Sequence, residues 1–261
     1  MKSESENEAR PLAAVIMAAG QGKRMQDPTL AKVLYPLGGK PLIGHVLALC
    51  SKIGAAPVVC IIGYGREAVA AYLSKEFPKV RTAIQEEQLG TGHAVKQSQN
   101  ALKDFTGDIL ILSGDVPLLT LPTTKRLIDE HRMKNAMATV LSVVMPNPAG
   151  YGRIIRTASD NLAQIVEEKD ATEDQKKICE INTGIYVFDS RTLFDVLKNI
   201  KRENVQGEYY LTDTLALINA QSGVGSVAVV TTNDPIEVSG INTKDQLAAL
   251  ETEFKNRNSI P

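Results

Sequence analysis

The sequence lacks tryptophan, has only 5% aromatic residues, and contains three cysteines among 261 residues. Cys50, Cys60 and Cys179 lie far apart, without the paired spacing typical of zinc or redox motifs. Cys50 and Cys60 are inside apolar segments, where buried, reduced thiols are usual. We therefore expect no disulfide framework and no structural metal, and a cytoplasmic protein.

Long apolar runs and an excess of one charge are also lacking. The longest purely apolar run, residues 12–19, has eight residues, whereas a membrane-spanning helix needs about 20. Residues 1–10 are polar and Glu-rich, unlike a secretory leader. Lys plus Arg (29) nearly balances Asp plus Glu (30), giving a net charge of −1. Because nucleic-acid and membrane-surface binders gather basic side chains, we expect small-molecule partners and neither nucleic acid nor a membrane.

The sequence does contain an alternation of short apolar segments and amphipathic segments. In the first half, strands are predicted at 12–17, 58–62, 80–84 and 109–112, and helices at 41–52, 67–77 and 91–102. This alternation predicts an α/β fold, with a parallel sheet and helices on both faces. The second half has predicted strands at 138–144, 152–155, 163–166 and 181–188, and helices at 191–197, 211–220 and 243–254. Fewer helices separate those strands, so the sheet should become mixed and carry a smaller lobe.

The turns richest in chemical groups follow the predicted parallel strands. They are residues 20–24, 63–65, 85–91 and 114–115. Ligands of open parallel sheets bind beyond the carboxyl ends of the strands. These turns should therefore share one rim.

The first of these turns contains two glycines and nearby cations. Gly20 and Gly22 allow backbone N–H groups to approach phosphate oxygens. Arg24 adds a planar set of donors and Lys32 a compact charge. The segment matches neither Walker A nor the three-glycine dinucleotide motif. Taken alone, it fits a strand-to-helix turn with solvated basic residues equally well.

Residues 18–25, 32–34 and 39–41 together resemble the N-terminal motif of sugar-nucleotide pyrophosphorylases. Met17 stands where that motif usually has leucine. Residues 26–31 form a stretch one residue longer than usual, and Ala31 replaces the usual proline. These departures affect the expected loop geometry but not Lys32.

Seven later segments resemble bacterial N-acetylglucosamine-1-phosphate uridyltransferases, in the same order along the chain. They are residues 85–94, 114–118, 150–154, 165–171, 180–184, 208–213 and 240–242. The resemblance extends from about residue 12 to about residue 250. One such segment is weak evidence, whereas seven in order are specific.

The resemblance implies a Rossmann-like, mostly parallel mixed sheet with a smaller sugar-binding lobe. It implies a nucleotide-binding part at 11–120, a sugar-binding part at 121–254 and polar tails at 1–10 and 255–261. The implied reaction forms UDP-N-acetylglucosamine, a cell wall precursor, and pyrophosphate from UTP and N-acetylglucosamine 1-phosphate, with Mg²⁺. Bifunctional relatives add a β-helix of hexapeptide repeats, which is absent here, so we expect no acetyltransferase activity.

The resemblance also assigns roles to individual residues. Arg24 and Lys32 would be catalytic, and Asp115 and Asn242 would bind the metal. The residues assigned to the sugar are Gly152, Glu167 and Asn182. Those assigned to the nucleotide are Ala18, Ala19, Gly20, Gly22, Gln85, Gln88, Gly90 and Thr91. A glutamine amide suits this task, because it offers the donor and the acceptor needed to read the edge of uracil.

Structural alternatives remain open for several of these residues. Gln85 and Gln88 also fit surface amides in a turn. Asp115 fits a turn or an N-cap before a helix near residue 122, and Asn242 fits an N-cap before residue 243. The carboxylates at 167, 168 and 170 fit a solvated charge cluster.

Alternatives of function also remain. The same reaction could use another sugar 1-phosphate, such as glucose 1-phosphate, or the chain could be a nucleotide-sugar-binding module without turnover. A dinucleotide oxidoreductase would need a third glycine where Met25 stands and an acidic residue where Gly63 stands. We reject that interpretation.

Overall fold

The strands of this computed structural model come from short apolar segments of the chain. Residues 10–25, 27 and 29–258 are described. The strands are β1 (Leu12–Ala18), β2 (Pro36–Leu37), β3 (Lys40–Pro41), β4 (Val58–Ile62), β5 (Arg81–Ile84), β6 (Asp108–Ser113), β7 (Ala138–Val144), β8 (Arg153–Arg156), β9 (Leu162–Val166), β10 (Glu180–Asp189) and β11 (Val227–Thr232).

Eight α-helices are formed within the described ranges. They are α1 (Leu42–Lys52), α2 (Arg66–Glu76), α3 (Thr91–Lys96), α4 (Leu121–Met133), α5 (Glu173–Lys176), α6 (Ser190–Val196), α7 (Asp213–Ser222) and α8 (Lys244–Asn258). Within these ranges, no helix combines the length and the apolarity that a bilayer span requires. The cytoplasmic location stays a prediction.

The main sheet has the order β11-β7-β10-β6-β1-β4-β5, and β8 and β9 branch from β10. Strands β6, β1, β4 and β5 run parallel to one another, and β11 runs parallel to β7. Strand β10 runs antiparallel to β6, β7 and β8. This mixed, mostly parallel α/β sheet confirms the predicted fold class.

The two faces of the sheet bury separate apolar clusters. Along β1, Ala14 and Ile16 pack with residues of α1, α2 and α4. Ala13 and Val15 point the other way and pack with residues of α3, α6 and α7. This alternation follows from the two-residue period of a strand. Both faces are therefore covered by helices, as predicted.

A third, smaller cluster connects the glycine loop with the C-terminal helix. Met25, Leu37 and Ile241 are almost completely buried in it, and Leu250 of α8 joins them. Residues far apart in the chain thus pack together beside the rim. This packing sets the position of residues 240–242.

Most predicted elements are confirmed, although the short strands β2 and β3 and the short helix α5 were not predicted. The longer elements show three further differences. The helix predicted at 91–102 ends at Lys96, because Gln97 and Ser98 donate to carbonyls three residues back rather than four. Strand β11 was not predicted, although its Val-Ala-Val-Val sequence is typical of a strand. The last helix continues to Asn258, beyond the predicted end at residue 254.

Three expectations lie partly or wholly outside the described residues. They are the tails at 1–10 and 255–261 and the longer loop, of which Gln26 and Pro28 are not described. The division into parts at 11–120 and 121–254 stays a prediction.

Candidate active site

The candidate site lies at the carboxyl ends of β1 and β6. These strands are parallel, and Met17 pairs with Ser113 near their ends. The Gly114 N–H donates to the Met17 carbonyl over 2.9 Å. The turn before Asp115 is thereby fixed beside the start of the glycine loop.

A cleft opens at this rim and brings together most of the residues assigned to the nucleotide. Those lining it are Ala18, Ala19, Gly20, Gln85, Gln88, Gly90 and Thr91, together with Lys32 and Asp115. Sequence reasoning missed five other lining residues: Met17, Val33, Ala94, Ser113 and Glu208. Val33, Ala94 and Glu208 lie inside matched segments, but only Glu208 has a polar side chain, so it is the one that sequence reasoning could have singled out.

The two loop glycines have different surroundings. A Cβ on Gly20 would meet no atom within 4 Å, whereas one on Gly22 would lie 2.8 Å from the Lys32 Cβ. Gly22 also has a positive φ of 61°, which favours glycine. Gly20 therefore leaves space in the cleft, and Gly22 allows the loop to close against Lys32.

Lys32, Asp115 and Asn242 meet at one point. The Lys32 ammonium donates to Asp115 Oδ2 and, over 3.2 Å, to Asn242 Oδ1. Asp115 is 7% exposed, and the Lys32 side chain is 16% exposed. Two oxygens from distant parts of the chain therefore face one cation.

The helix-capping alternatives for Asp115 and Asn242 are not what the structure shows, whereas Asp115 does lie in a turn, as its other structural alternative predicted. Helix α4 is capped by Thr120, whose hydroxyl accepts from the Thr123 N–H over 3.3 Å. At the start of α8, the Thr243 hydroxyl accepts from Gln246 N–H over 3.2 Å. The Asp115 and Asn242 side chains take neither capping position, so both remain available to the cleft.

The donor set at this point suits a hard divalent cation. Mg²⁺ binds through one or two protein oxygens and takes other ligands from phosphates and water. A carboxylate and an amide oxygen already converge on the Lys32 ammonium. Within the described ranges, no group of three or more His, Cys, Asp or Glu side chains is arranged to hold a metal ion. Asp115 and Asn242 therefore fit Mg²⁺ together with further oxygen ligands from phosphate and water.

The loop between β5 and α3 is fixed by its own side chains. Gln85 is 5% exposed. Its Nε2 donates to the Gly90 carbonyl over 3.1 Å and lies 3.1 Å from His93 Nδ1. Gln88 Nε2 donates to the Ala19 carbonyl over 2.9 Å. Gln85 is therefore a buried group that fixes its own loop. Gln88 is exposed, and its bond to Ala19 connects this loop with the start of the glycine loop.

The same loop is also fixed to the second half of the chain. The Tyr209 N–H donates to the Leu89 carbonyl over 2.7 Å, and the Thr91 hydroxyl accepts from the Leu211 N–H over 3.0 Å. A Cβ on Gly90 would lie 2.6 Å from the Tyr209 carbonyl oxygen. Glycine at 90 therefore permits the close approach of these two segments.

The residues assigned to the sugar form a second cluster on β8, β9 and β10. The Asn182 N–H donates to the Gly152 carbonyl over 2.8 Å. A Cβ on Gly152 would lie 3.2 Å from Glu167 Oε2. Glu167 accepts from the Thr212 hydroxyl over 3.1 Å, and Asn182 Nδ2 donates to the Tyr186 hydroxyl over 2.8 Å. Thr212 and Tyr186 were missed by sequence reasoning, although Thr212 lies in a matched segment.

This second cluster is acidic. Burial raises the pKa of Glu167, and the negative charges of Asp213, Asp170 and Glu208 raise it further, against the hydrogen bond from Thr212. Burial likewise raises the pKa of Asp213. Such surroundings disfavour a second anion and suit neutral hydroxyl groups, which can donate to carboxylates.

Arg24 is exposed and is not among the cleft-lining residues of the described chain. Its neighbour is Tyr151, whose pKa is raised by burial and by the Asp115 charge and lowered by the Arg24 charge. Arg24 and Asp115 therefore act electrostatically, with opposite signs, on the same tyrosine. The structure places Arg24 at the rim and not inside the cleft.

Comparison with known proteins gives one family and a set of curated relatives. Residues 13–230 match the nucleotidyl transferase family. The chain is 46% identical to bifunctional protein GlmU of Syntrophotalea carbinolica over 246 residues, which is 94% of this chain and 52% of the relative.

Two further relatives give similar values. Bifunctional protein GlmU of Syntrophomonas wolfei is 44% identical over 246 residues, covering 94% of this chain and 54% of the relative. The protein of the same name from Brevibacillus brevis is 43% identical, with 94% and 52% covered. The chain thus spans about half the length of the curated relatives it matches.

Proposed function

Because the chain belongs to the nucleotidyl transferase family, we propose that it transfers the uridylyl group of UTP to N-acetylglucosamine 1-phosphate. The products are UDP-N-acetylglucosamine and pyrophosphate. The observation that best supports this function is the meeting of Lys32, Asp115 and Asn242 at the rim of the cleft. Lys32 and Asn242 are 210 residues apart in the chain, so only the fold brings them together.

In this proposal UTP binds in the cleft at the ends of β1 and β6. The loop fixed by Gln85 and Gln88 holds the uracil, and the glycine loop faces the phosphates. Gly20 supports this orientation, because a side chain there would fill open space. Backbone N–H groups of such loops can bind phosphate oxygens closely.

The reaction needs no nucleophile from the protein. An oxygen of the sugar 1-phosphate attacks the α-phosphorus of UTP, and the bond between that phosphorus and the pyrophosphate oxygen breaks. Lys32 and Arg24 would neutralise the charge on the phosphates, and the loops would hold the reactants in line. Positioning and charge stabilisation together account for the expected rate enhancement.

Asp115 and Asn242 would hold Mg²⁺ when the phosphates are bound. The bound ion would supply positive charge to the reacting phosphate groups. Asp115 contributes the negative charge of that pair, and Asn242 a neutral oxygen from the start of α8. Lys32, which contacts both oxygens, would keep Asp115 paired before the substrates bind.

The sugar would lie against the acidic cluster on β8, β9 and β10. Glu167 would accept from sugar hydroxyls, Asn182 would donate or accept, and Gly152 would offer its backbone N–H. The close approach of Gly152 to Glu167 supports this arrangement, because a Cβ at 152 would lie only 3.2 Å from Glu167 Oε2 and would crowd that carboxylate.

A substrate panel tests the proposal. The purified chain is incubated with UTP and one sugar 1-phosphate, and pyrophosphate release is measured with Mg²⁺ and with excess EDTA. We expect release with N-acetylglucosamine 1-phosphate that EDTA abolishes, and much slower release with glucose 1-phosphate or with ATP in place of UTP.

Other outcomes would identify the alternatives. Faster release with glucose 1-phosphate would reassign the sugar. UDP-N-acetylglucosamine binding without any pyrophosphate release, at any Mg²⁺ concentration, would indicate a binding module and contradict the proposed function.

A further inference from the structure

Arg153, on β8, is the largest side chain that the fold buries almost completely, with 1% exposed. Its backbone lies at the centre of the second cluster. Arg153 pairs with Val166 of β9 on one side and with Ile181 of β10 on the other. Gly152, Glu167 and Asn182 are the next residues along these three strands, so they form one cross-strand row.

Side chains in that row point to the face opposite Arg153. Successive residues of a strand alternate between faces, and directly opposed residues share a face. Arg153 therefore lies behind the row rather than in it. It cannot contact a sugar bound on the other face, so any effect on the sugar must act through its neighbours.

The guanidinium connects the two turns that flank the row. Nη1 donates to the Tyr151 carbonyl, and Nη2 donates to the Lys176 carbonyl over 3.3 Å. Nη2 also lies 2.7 Å from Glu168 Oε2, an ion pair by distance although the contact lacks hydrogen-bond geometry. Tyr151 immediately precedes Gly152, and Glu168 immediately follows Glu167. Arg153 therefore links the main chain at Tyr151, just before Gly152, to the side chain of Glu168, just after Glu167.

This arrangement contributes more to geometry than to stability. Arg153 Nε is buried without a hydrogen-bond partner within the described chain. Burying a guanidinium costs free energy that its ion pair offsets only in part. The three partners, by contrast, fix both turns relative to each other.

We infer that Arg153 is a positioning residue for the sugar end of the substrate. It holds Gly152 and Glu167 at the spacing that the sugar requires, by fixing Tyr151 and Glu168 from the opposite face. The identity of the ligand in this inference rests on the proposed function. The row itself follows from the strand pairing.

The test replaces Arg153 by methionine in the full chain and compares the two substrates. We expect the KM for N-acetylglucosamine 1-phosphate to rise at least about tenfold, since small misplacements of binding groups are costly. The KM for UTP should stay within about twofold, because the nucleotide cleft is built from other elements. Arg153→Lys should recover part of the loss, since one ammonium can bond one carbonyl.

Arg156→Met is the matched control. Arg156 lies three residues further along β8 and bonds both oxygens of Glu180, over 2.8 and 2.7 Å, but it flanks neither Gly152 nor Glu167. We expect both KM values to stay within about twofold of the original. If Arg153→Met fails to fold, Glu168→Gln, which removes only the ionic partner, should raise the KM for the sugar phosphate selectively.

Equilibrium binding tests the inference independently of turnover. Isothermal titration with UDP and with UDP-N-acetylglucosamine gives the affinity contributed by the sugar. Arg153→Met should remove most of that contribution and leave UDP binding unchanged. Equal losses for both ligands, an equal effect of Arg156→Met, or an unchanged sugar contribution would overturn the inference. An inactive chain that still shows the selective loss would refute only the proposed reaction.

Discussion

The cleft at the ends of β1 and β6 and the row on β8, β9 and β10 differ in charge and in construction. The cleft combines an open glycine loop with an ammonium, Lys32, that contacts two oxygens. The row has a partly buried carboxylate, Glu167, whose pKa is raised by burial and by nearby carboxylates. A phosphate therefore fits the first region and a neutral, hydroxyl-rich group the second. The difference supports the proposal that charge orients the substrate, with its phosphates in the cleft and its sugar at the row.

The two regions also depend on different kinds of support. The cleft is held mainly by loops, through side-chain bonds such as that from Gln88 to the Ala19 carbonyl. The row is held by paired strands and by a buried arginine behind them. Substitutions in the cleft should therefore affect turnover, and substitutions in the row should affect recognition of the sugar.

Among these substitutions, Asp115→Asn in the cleft should reduce turnover most strongly. It removes the carboxylate that pairs with Lys32 and that would hold Mg²⁺, so we expect turnover to fall by about 1000-fold. Steady-state pyrophosphate release measures this. Asp129→Asn, an exposed aspartate on α4, should leave turnover unchanged. A loss below about tenfold for Asp115→Asn would contradict the role given to the cleft.

Lys32→Ala should have the next largest effect. The substitution removes the cation next to Asp115 and Asn242, and we expect turnover to fall by about 100-fold while the fold is retained. Circular dichroism checks the fold, and Lys52→Ala at the exposed end of α1 serves as the control. Near-normal turnover in Lys32→Ala and also in Arg24→Ala would refute both proposed catalytic roles.

Glu167→Gln should weaken binding of the sugar phosphate and leave binding of UTP unchanged. Loss of a charged hydrogen-bond acceptor should raise the KM for the sugar phosphate by about 10- to 100-fold, with little change in the KM for UTP. Glu173→Gln on the surface helix α5 is the control. Equal increases in both KM values would show that the two regions are not separate.

The smallest expected effect is on stability, and its size depends on pH. The pKa of Glu167 is raised from its ordinary value of 4.5. Ionising this carboxyl therefore costs more free energy in the folded state than in the unfolded chain. Stability should therefore fall as pH rises from 4.5 through the raised pKa. Glu167→Gln avoids this cost, so its melting temperature at pH 7 should exceed that of the original by about 2 °C. The gain should vanish below about pH 4, and a lower melting temperature at pH 7 would contradict this account.

The fold of the first half could be predicted because its strands are short, apolar and separated by clear turns. Residues 58–62 were predicted with the observed bounds of β4, and in the second half residues 138–144 were predicted with those of β7. The end of α3 could not be predicted, because the sequence after Lys96 keeps apolar residues at helical spacing while its hydrogen bonds change register. Strand β11 is apolar enough to be recognised and was overlooked.

The site was less predictable, because its support comes from distant parts of the chain. Nothing in the turn around Gln85 indicates that the side chain is buried, since its partners are Gly90 and His93. Asn242 was equally consistent with a helix cap until packing of Ile241 against Met25 placed it beside Lys32. Arg153 lies inside a matched segment, but its role depends on pairing with β9 and β10. Residue types thus predicted candidates, and tertiary contacts decided which candidates meet.

A crystal structure of the chain with UDP-N-acetylglucosamine and Mg²⁺ tests most directly whether the charges of the two regions orient the ligand. We predict that the diphosphate lies beside Lys32 and Asp115, and that the sugar hydroxyls lie within hydrogen-bond distance, about 3 Å, of Glu167 and Asn182. A diphosphate more than about 10 Å from the Asp115 carboxylate, or a phosphate seated in the acidic row, would contradict the account.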